Sequence, residues 1–237
     1  MIAIIDADYL LYKVYPETED DVSNPLSFKE GKAQFKGLVE ELLDDMHLLF
    51  EYKITKHKVV MSDATNFRYE LFPAYKEKRT VKRTENFYKL QEWARKKYVC
   101  WPNLEADDVC GWYARYKKKV IIVSNDKDVL YGLPGVKFDP YIGRKWFIEV
   151  SQYEADRFIL MQTLAGDATD GIPGIPRVGM KTAEKLLNEF GWDWAGVVKA
   201  YQSRGLTERD AILTRRLVGL DQVTKKKKLK LFKGEKI

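Results

Sequence analysis

The chain has 237 residues, of which 45% are hydrophobic and 32% are charged, and its formal net charge is +6. This composition predicts one globular domain of medium size, or a core with a second lobe. No apolar run approaches the roughly 18 residues of a membrane-spanning helix, and the first residues become charged too soon for a signal peptide. Two cysteines, Cys100 and Cys110, are too few for a disulfide framework or a zinc site. The sequence therefore predicts no membrane association and a reduced, cytoplasmic setting.

Strands and helices are predicted to alternate over the first 140 residues. The apolar runs predict strands at 2–5, 58–61 and 120–123, and such continuous runs are typical of a parallel sheet that is buried on both faces. The periodicity predicts helices over 33–50, 85–97 and 105–117. Breaker residues predict a loop over 15–31, and two short runs predict an edge pair at 136–138 and 145–148, around a turn at 141–143.

The pattern after Ser151 is helical. The predicted helices are 151–165, 180–190, 193–202 and 207–219. Three glycines and two prolines interrupt them between Asp167 and Gly179. We therefore expect an α/β core over 1–150, a helical region over 151–223 and a frayed basic tail over 224–237.

Positive charge is concentrated in two segments. Residues 76–97 contain nine Lys or Arg and three Glu, and residues 224–237 contain seven Lys and one Glu. One interpretation is that these segments bind a polyanion such as nucleic acid. The alternative is that they are only solvated helix faces and a lysine-rich tail.

Acidic residues follow each of the first three predicted strands, at the edge where ligands of an open α/β sheet gather. They lie at Asp6 and Asp8, at Asp63, and at Asp126 and Asp128. Further acids open a predicted helix at Glu105, Asp107 and Asp108, and occupy the glycine-rich turn at Asp167 and Asp170. Each acid alone has a structural alternative as a cap, a turn former or a partner of a helix N-terminus. Together they would repel one another, and hard divalent cations bound through oxygen would remove that repulsion. The cluster therefore predicts two-metal hydrolysis of phosphodiester bonds.

Five segments resemble motifs of the 5′ nuclease family, which includes the 5′ nuclease domains of bacterial DNA polymerases, flap endonucleases and short phage-encoded 5′–3′ exonucleases. The resemblance covers roughly residues 1–190, and of these groups the chain is most similar to the short phage-encoded exonucleases. The segments are Asp6, SDATNFRYELFPAYKEKR at 62–79, LEADDV at 104–109, VSNDKDVLYGL at 123–133 and GDATDGIPGIPRVGMKTAEKLL at 166–187.

The resemblance implies a fold of the α/β class. It consists of a PIN-like core with a central, mostly parallel sheet, a helical arch at about 76–104, and a C-terminal helix-three-turn-helix DNA-binding region. It also implies hydrolysis of DNA that leaves 5′-phosphate and 3′-hydroxyl ends, as a 5′–3′ exonuclease, a flap endonuclease or both. The implied cofactors are two Mg²⁺ ions, for which Mn²⁺ can substitute.

Residue roles follow from the same resemblance. Lys76 and Arg79 would contact the scissile phosphate. One metal would be bound mainly by Asp6, Asp63 and Asp107. The second would be bound mainly by Asp126, Asp128 and the Asp167/Asp170 pair. The full metal set implied is Asp6, Asp63, Glu105, Asp107, Asp108, Asp126, Asp128, Asp167 and Asp170.

DNA contacts are implied in two places. Beside the arch they are Tyr75, Lys82 and Arg83; Tyr75 could stack on a base or belong to the core. In the helix-three-turn-helix they are Gly174, Arg177, Gly179, Lys181 and Thr182, around a helix N-terminus suited to phosphate. The family often binds K⁺ here through backbone carbonyls. Arg177 stands where the family usually has glycine, and an arginine could contact the phosphate instead.

The basic segment 76–97 is short and carries like charges, so we expect it to order only on binding DNA. The expected partner is duplex DNA with a 5′ end or a 5′ single-stranded flap. A monomer, a role in replication, repair or primer degradation, and a separate polymerase or replication partner are also expected, in a bacterial or phage-infected cell. The alternatives are a catalytically inactive DNA-binding protein and a PIN-type ribonuclease.

Overall fold

The computed structural model describes residues 1–16, 26–49, 53–79, 81–141 and 146–234. The described residues contain six strands, β1 Ile2–Asp6, β2 Lys56–Met61, β3 Val99–Cys100, β4 Val120–Val123, β5 Gly135–Asp139 and β6 Trp146–Val150. The helices in these ranges are α1 Asp8–Val14, α2 Phe28–Leu49, α3 Phe67–Leu71, α4 Glu85–Lys97, α5 Ala106–Tyr116, α6 Lys127–Gly132, α7 Gln152–Ala165, α8 Met180–Phe190, α9 Trp194–Gln202 and α10 Glu208–Val218. None of them is long and apolar enough to cross a membrane.

The strands form one sheet in the order β3-β2-β1-β4-β5-β6. Neighbouring strands from β3 to β5 are parallel, and β6 pairs antiparallel with β5. The central strand β1 pairs on both sides, so that Ile4 lies opposite Lys58 of β2 and Ile122 of β4. Because the five parallel strands point the same way, their carboxyl ends meet along one edge of the sheet.

Helices cover both faces of this sheet, as the continuous apolar runs predicted. In β1, Ala3 and Ile5 contribute to one hydrophobic core and Ile4 to the other, and all three are fully buried. The first core includes Phe35 of α2, and the second includes Val109 of α5. Alternation along the strand therefore divides its side chains between two cores.

The last four helices form a separate core around Leu164, Leu187 and Val197. The buried Tyr201 hydroxyl donates to the backbone oxygen of Thr163 at 2.7 Å, which joins α9 to α7. After α7 the chain passes so close to itself that a Cβ atom on Gly174 would lie 2.3 Å from the carbonyl carbon of Ala165. Glycine is therefore required where the turn crosses the end of α7.

Most predicted elements are confirmed, and the bounds of α4 and α8 match the prediction. Four short elements were not predicted, namely α1, α3, α6 and β3. The predicted loop at 15–31 ends earlier, because α2 already begins at Phe28. Its residues 17–25, and residues 142–145 of the predicted turn and strand, lie outside the described ranges.

The structure contradicts a loose arch over 85–97. Phe87, Leu90 and Ala94 of α4 are buried in the first sheet core, and the Trp93 ring packs edge-on against Phe35 at 6.3 Å between centroids. The apolar face of the helix thus packs as expected. Its positive charges lie on a helix that is already anchored.

The basic tail is not frayed over its described part. The Lys230 amide donates to the Gln222 backbone oxygen at 2.7 Å, and the Phe232 ring packs against Trp194 at 4.7 Å between centroids. The Trp112 indole also donates to the Thr224 backbone oxygen at 3.1 Å. These hydrogen bonds and the ring contact flank the Lys225–Lys228 run and hold it on the surface. Residues 235–237 lie outside the described ranges.

Candidate active site

A cavity of 180 Å³ opens at the carboxyl ends of the parallel strands. Its acidic lining residues are Asp6, Asp8, Glu105, Asp107, Asp126, Asp128 and Asp170. Basic and polar side chains complete the wall, among them Arg68, Tyr75, Lys76, Arg79 and Asn125. Four of the five acids that follow the predicted strands, Asp6, Asp8, Asp126 and Asp128, therefore converge here, and Glu105, Asp107 and Asp170 join them.

Short local structures aim these acids at the cavity. Asp6 ends β1, and Asp8 begins α1 two residues later. Glu105 is the N-cap of α5 within a capping box, and Asp126 caps α6 by accepting from the Asp128 amide at 2.7 Å. The N-cap interpretation of Asp126 is thus correct, and Glu105 lies at a helix N-terminus, as its structural alternative held. Both residues line the cavity as well. The positive ends of two helices favour negative charge here.

Burial and mutual repulsion disfavour the charged form of several of these acids. Burial, together with the charges of Asp8 and Asp126, raises the pKa of Asp6 to about 7. Burial and the Asp126 charge raise the pKa of Asp128 to about 6. Burial and the charges of Asp6 and Asp126 raise the pKa of Asp107 well above its usual range. Added positive charge would reduce the repulsion among these carboxylates and favour their ionised form.

The donor set fits hard divalent cations. The ligands available are carboxylate oxygens, which suit Mg²⁺ and Mn²⁺. One of them, Asp128 Oδ1, is buried without a hydrogen bond of ordinary length among the described residues, and the nearby Gln162 side chain offsets only part of the effect of burial on its pKa. No group of three or more Asp, Glu, His or Cys side chains in the described ranges has the geometry of a metal site as it stands. Basic side chains lie among the acids instead.

Lys76 and Arg79 supply that positive charge. Lys76 Nζ lies 2.5 Å from Glu105 Oε1 and 3.6 Å from Asp170 Oδ2. Arg79 pairs with Asp170 Oδ1. Burial alone would raise the pKa of Glu105, but the charges of Arg68 and Lys76 outweigh it and hold that pKa below its ordinary value. Both basic residues therefore line the cavity, and their contact with the scissile phosphate stays a prediction.

Three of the predicted metal ligands do not line the cavity. The buried Asp108 accepts two hydrogen bonds from Arg68, at 2.7 Å and 2.8 Å. Asp63 accepts from the Thr65 hydroxyl at 2.9 Å and the Asn103 amide at 2.8 Å. Asp167 accepts from the Thr169 amide at 2.8 Å and pairs with Lys127 at 3.0 Å. Each of these carboxylates is already engaged by protein donors.

Base stacking by Tyr75 is contradicted, because the residue is only 3% exposed. Its hydroxyl donates to Glu105 Oε2 at 2.9 Å and lies 3.3 Å from Asp170 Oδ2. Tyr75 therefore belongs to the core, as the alternative interpretation held, and it helps to hold Glu105 in place.

Four of the five predicted DNA-contacting residues of the helical region lie at the start of α8, namely Arg177, Gly179, Lys181 and Thr182, whereas Gly174 packs against the end of α7. Gly179 is the N-cap of α8, and its carbonyl accepts from the Thr182 amide at 2.9 Å. Arg177 and Lys181 are exposed beside it. Arg177 has a φ of 63°, a left-handed conformation that favours glycine. The family's usual glycine is consistent with this backbone shape.

The two basic residues beside the arch that were predicted to contact DNA differ in exposure. Lys82 is exposed, whereas Arg83 is half-buried and donates to the Pro16 backbone oxygen at 2.8 Å, with its guanidinium 5.0 Å from the centroid of the Tyr12 ring. Arg83 thus has partners within the protein.

The predicted metal set omitted Asp8, which lines the cavity beside Asp6. Asp8 Oδ1 accepts from the Ser62 amide at 3.1 Å, and Asp6 Oδ2 accepts from the Ser124 hydroxyl at 3.0 Å. Burial also raises the pKa of Asp8. The feature of the sequence that pointed to Asp8 was its position two residues after Asp6, at the end of a predicted strand.

Two family models match the sequence. The description "5'-3' exonuclease, N-terminal resolvase-like domain" matches residues 1–134, and "5'-3' exonuclease, C-terminal SAM fold" matches residues 153–231. Together they cover the α/β core except β5 and β6, and nearly all of the helical region.

Curated relatives and solved structures agree with these matches. A 5'-3' exonuclease of Buchnera aphidicola subsp. Acyrthosiphon pisum is 31% identical over 158 residues, which are 59% of this chain and 55% of the relative. DNA polymerase I of Rhizobium leguminosarum is 33% identical over 175 residues, which are 66% of this chain and 17% of that protein.

The chain thus spans about half of the first relative's length and about a sixth of the second's. A structure of the bacteriophage T5 flap endonuclease with DNA and metal ions is similar in fold, with a TM-score of 0.68 at 17% identity. The alignment covers 93% of this chain and 89% of that one. On the strength of the family models, this chain belongs to the 5′–3′ exonuclease family.

Proposed function

We propose that this chain is a metal-dependent 5′ nuclease that hydrolyses phosphodiester bonds in DNA, as a 5′–3′ exonuclease, a flap endonuclease or both. The observation that carries the proposal is the cavity in which seven carboxylates face Lys76 and Arg79. The bacteriophage T5 flap endonuclease of the same fold was solved with DNA and metal ions, and this supports extending both ligands to the present chain.

The cavity acids Asp6, Asp8, Asp107, Asp126 and Asp128 are the residues that we propose hold two Mg²⁺ or Mn²⁺ ions. Burial raises the pKa of all five carboxyl groups, so cations would relieve their repulsion. When bound, such ions supply an activated water nucleophile and stabilise the charge on the leaving oxygen. Asp63 and Asp167, which are engaged elsewhere, would act at most through water, and Asp108 would not act.

Lys76 and Arg79 would act on the scissile phosphate. Each already forms an ion pair with a cavity carboxylate. A phosphate oxygen is also negatively charged, so it can replace the carboxylate as the partner of either side chain. Arg79 is half exposed, so its guanidinium can exchange partners when the substrate enters. Both groups would then stabilise the negative charge that develops in the transition state.

The start of α8 would hold the duplex at a distance from the reacting bond. Its free backbone amides and the exposed Arg177 and Lys181 suit a backbone phosphate. We propose that Arg177 contacts phosphate directly, with K⁺ bound by neighbouring carbonyls as the alternative. We further propose that the protein is a monomer and that it works with a separate polymerase or replication protein.

Cleavage of labelled substrates tests this function. Wild-type protein should degrade DNA with Mg²⁺ or Mn²⁺ and should be inactive in excess EDTA. Asp126→Asn should remove most activity without unfolding the protein, whereas Asp44→Asn, an exposed acid on α2, should leave it unchanged. Full cleavage in EDTA would exclude the metal mechanism.

The choice of substrate separates the alternatives. Blunt, nicked, gapped and 5′-flapped duplexes, each labelled at one end, report polarity and structural preference. Cleavage of single-stranded RNA but not of DNA would instead identify a PIN-type ribonuclease. DNA binding without hydrolysis of any of these substrates would identify an inactive DNA-binding protein.

A further inference from the structure

The Lys225–Lys228 run lies outside the carboxylate cavity and forms the tip of a hairpin. Val223 and Leu229 pair on either side of it as an antiparallel bridge. The Thr224 amide donates to the Lys228 backbone oxygen at 2.9 Å, and the Lys228 amide donates to the Thr224 hydroxyl at 3.1 Å. These residues form the lysine hairpin, and its backbone has a defined shape before any ligand binds.

Aromatic side chains fix the hairpin on helix α5. The Trp112 indole donates to the Thr224 backbone oxygen at 3.1 Å. Lys227 Nζ lies 4.6 Å from the centroid of the Trp101 ring and 5.3 Å from that of Trp112. Lys227 has a φ of 60°, a left-handed conformation that costs a residue with a side chain about 1–2 kcal/mol. The cation–π contacts offset part of that cost and keep the turn closed.

A further lysine from α5 adds to the charge of the hairpin. Lys117 follows the last residue of α5, and its Nζ lies 5.2 Å from the centroid of the Trp112 ring. Lys117 and Lys227 are therefore neighbours beside one ring. Together with the rest of the run they form the lysine patch, whose five members are all exposed: Lys117 and Lys225–Lys228. None of the five forms an ion pair with a carboxylate in the described part of the chain.

The lysine patch is separated from the reacting groups by the length of α5. Glu105, which lines the cavity, is the N-cap of this helix, and Lys117 is its C-cap. At ~1.5 Å per residue the helix places the two caps about 18 Å apart. No member of the patch lines the cavity. A ligand of the patch would therefore contribute to binding and not to the chemical step.

The chemistry of the patch is suited to a phosphate backbone. A lysine ammonium is a compact charge that pairs with phosphate without reading the bases. Sites for single strands rely on aromatic rings that stack on bases, whereas the Trp112 ring is 5% exposed and has two lysines beside it. Four consecutive lysines at the tip also offer no apolar socket for the side chains of a peptide.

We infer that the lysine patch is a second contact for the phosphate backbone of duplex DNA, separate from the start of α8. The inference rests on DNA as the partner in the proposed function. Lysines that neutralise phosphates release bound counterions, so the contact strengthens binding most at low salt. Because the hairpin is already folded, its lysines meet the duplex without the cost of ordering a free tail.

Fluorescence anisotropy with a fluorescein-labelled blunt duplex tests the inference. A duplex of about 30 base pairs is ~100 Å long and can reach all parts of the protein. Binding is measured in EDTA, which prevents cleavage, over a series of KCl concentrations. The hairpin variant combines Lys225→Gln, Lys226→Gln and Lys228→Gln, and keeps Lys227 on its rings. Each lost phosphate contact removes about 0.9 units from the slope of log Kd against log salt concentration, so we expect the slope to fall by about 2–3 units.

A control variant makes the same change of net charge elsewhere. It combines Lys29→Gln, Lys56→Gln and Lys199→Gln, at exposed positions on α2, β2 and α9. Its slope should fall by less than about one unit, because no bound phosphate loses its partner. Thermal unfolding of both variants should match that of the wild type, which shows that the hairpin variant is folded.

Four outcomes would overturn the inference. Equal changes of slope in the hairpin and control variants would show a non-specific effect of net charge. A labelled oligothymidylate that loses more affinity than the duplex in the hairpin variant would assign the patch to single strands. A labelled hexaglutamate peptide that loses more than the duplex would assign it to an acidic partner protein. An unchanged slope in the hairpin variant would remove this inference alone, whereas a wild type that binds no duplex would remove the proposed function as well.

Discussion

Replacing Asp6 or Asp108 with asparagine removes one negative charge in each case, yet we expect the free energy of unfolding to change in opposite directions. Both residues were predicted as metal ligands from the same motif pattern. Asp6 lies in the cavity among other carboxylates, whereas Asp108 is held by the buried Arg68. The comparison therefore separates a repelled charge from a paired one.

Asp6→Asn should stabilise the metal-free protein. The pKa of Asp6 is raised from 3.8 to about 7, so the folded state binds the proton more tightly than the unfolded state. Stability is then lost as the pH rises from about 4 through 7, because the carboxyl must ionise in an unfavourable site. A shift of this size corresponds to about 4 kcal/mol at pH 8. Because the cavity acids titrate as a coupled group, we expect Asp6→Asn to raise the free energy of unfolding at pH 8 by about 2–4 kcal/mol. This gain in stability shrinks as the pH falls towards 4.

Asp108→Asn should destabilise the protein strongly. The Arg68 guanidinium is 1% exposed and donates to both oxygens of Asp108. It also donates to the backbone oxygen of Leu217 at 2.7 Å, so it cannot move to solvent without losing the contact with α10. Breaking a buried ion pair on one side costs about 3–5 kcal/mol. Arg68 keeps a second carboxylate, Glu105 Oε2, at 3.4 Å, so we expect a loss at the lower end of this range.

Urea unfolding at pH 8 in EDTA, followed by tryptophan fluorescence, measures both effects. The midpoint should rise for Asp6→Asn and fall for Asp108→Asn. Adding Mg²⁺ should then raise the midpoints of the wild type and of Asp108→Asn, but not that of Asp6→Asn, because a ligand that binds only the folded state stabilises it. A loss of stability for Asp6→Asn in EDTA, or a neutral Asp108→Asn, would refute the electrostatic assignment.

Three further predictions follow from other parts of the structure. Arg177→Ala or Lys181→Ala should raise the Kd for duplex DNA and lower the slope of log Kd against log salt concentration by about one unit. The rate of single-turnover cleavage at saturating DNA should be nearly unchanged. Slower cleavage at equal affinity would instead assign the residue to the reaction and not to binding. Tyr75→Phe removes the 2.9 Å hydrogen bond to Glu105 and should lower the free energy of unfolding in urea by about 1–3 kcal/mol. Burial lowers the pKa of Lys137 from 10.5 to about 7, so the unfolded chain binds more protons above neutral pH and stability should rise with pH. Relative to Lys137→Met, the wild type should gain about 2–3 kcal/mol in urea unfolding between pH 6 and pH 9, and a constant difference would contradict the shift.

The sequence predicted the layers of the fold because burial leaves a strong local signal. Apart from Lys58, the strands at 2–5, 58–61 and 120–123 consist of apolar residues, and this pattern requires helices on both faces of the sheet. Strand direction then brings acids such as Asp6 and Asp126 to one edge. Both inferences use residues that are close in sequence, or the geometry that parallel strands share.

Short elements escaped prediction because their stability comes from tertiary contacts. Helix α1 has seven residues, and its N-cap residue Ala7 makes no side-chain capping bond. Its buried side chains Leu10, Leu11 and Val14 belong to the first sheet core. A helix of this length is not stable alone, so packing decides its conformation. The anchored tail has the same cause, since Phe232 finds its partner Trp194 far away in the sequence.

The different roles of Asp107 and Asp108 show where sequence reasoning stops. Both lie in the first turn of α5, and either could favour the positive end of the helix. Successive helical residues point about 100° apart, so only one of the two can face the cavity. Which one does so depends on Arg68, 40 residues earlier in the chain, whose guanidinium is placed by α3 and by the Leu217 carbonyl at the end of α10. No spacing within the motif contains that information, because the charge that captures Asp108 comes from a different segment of the chain.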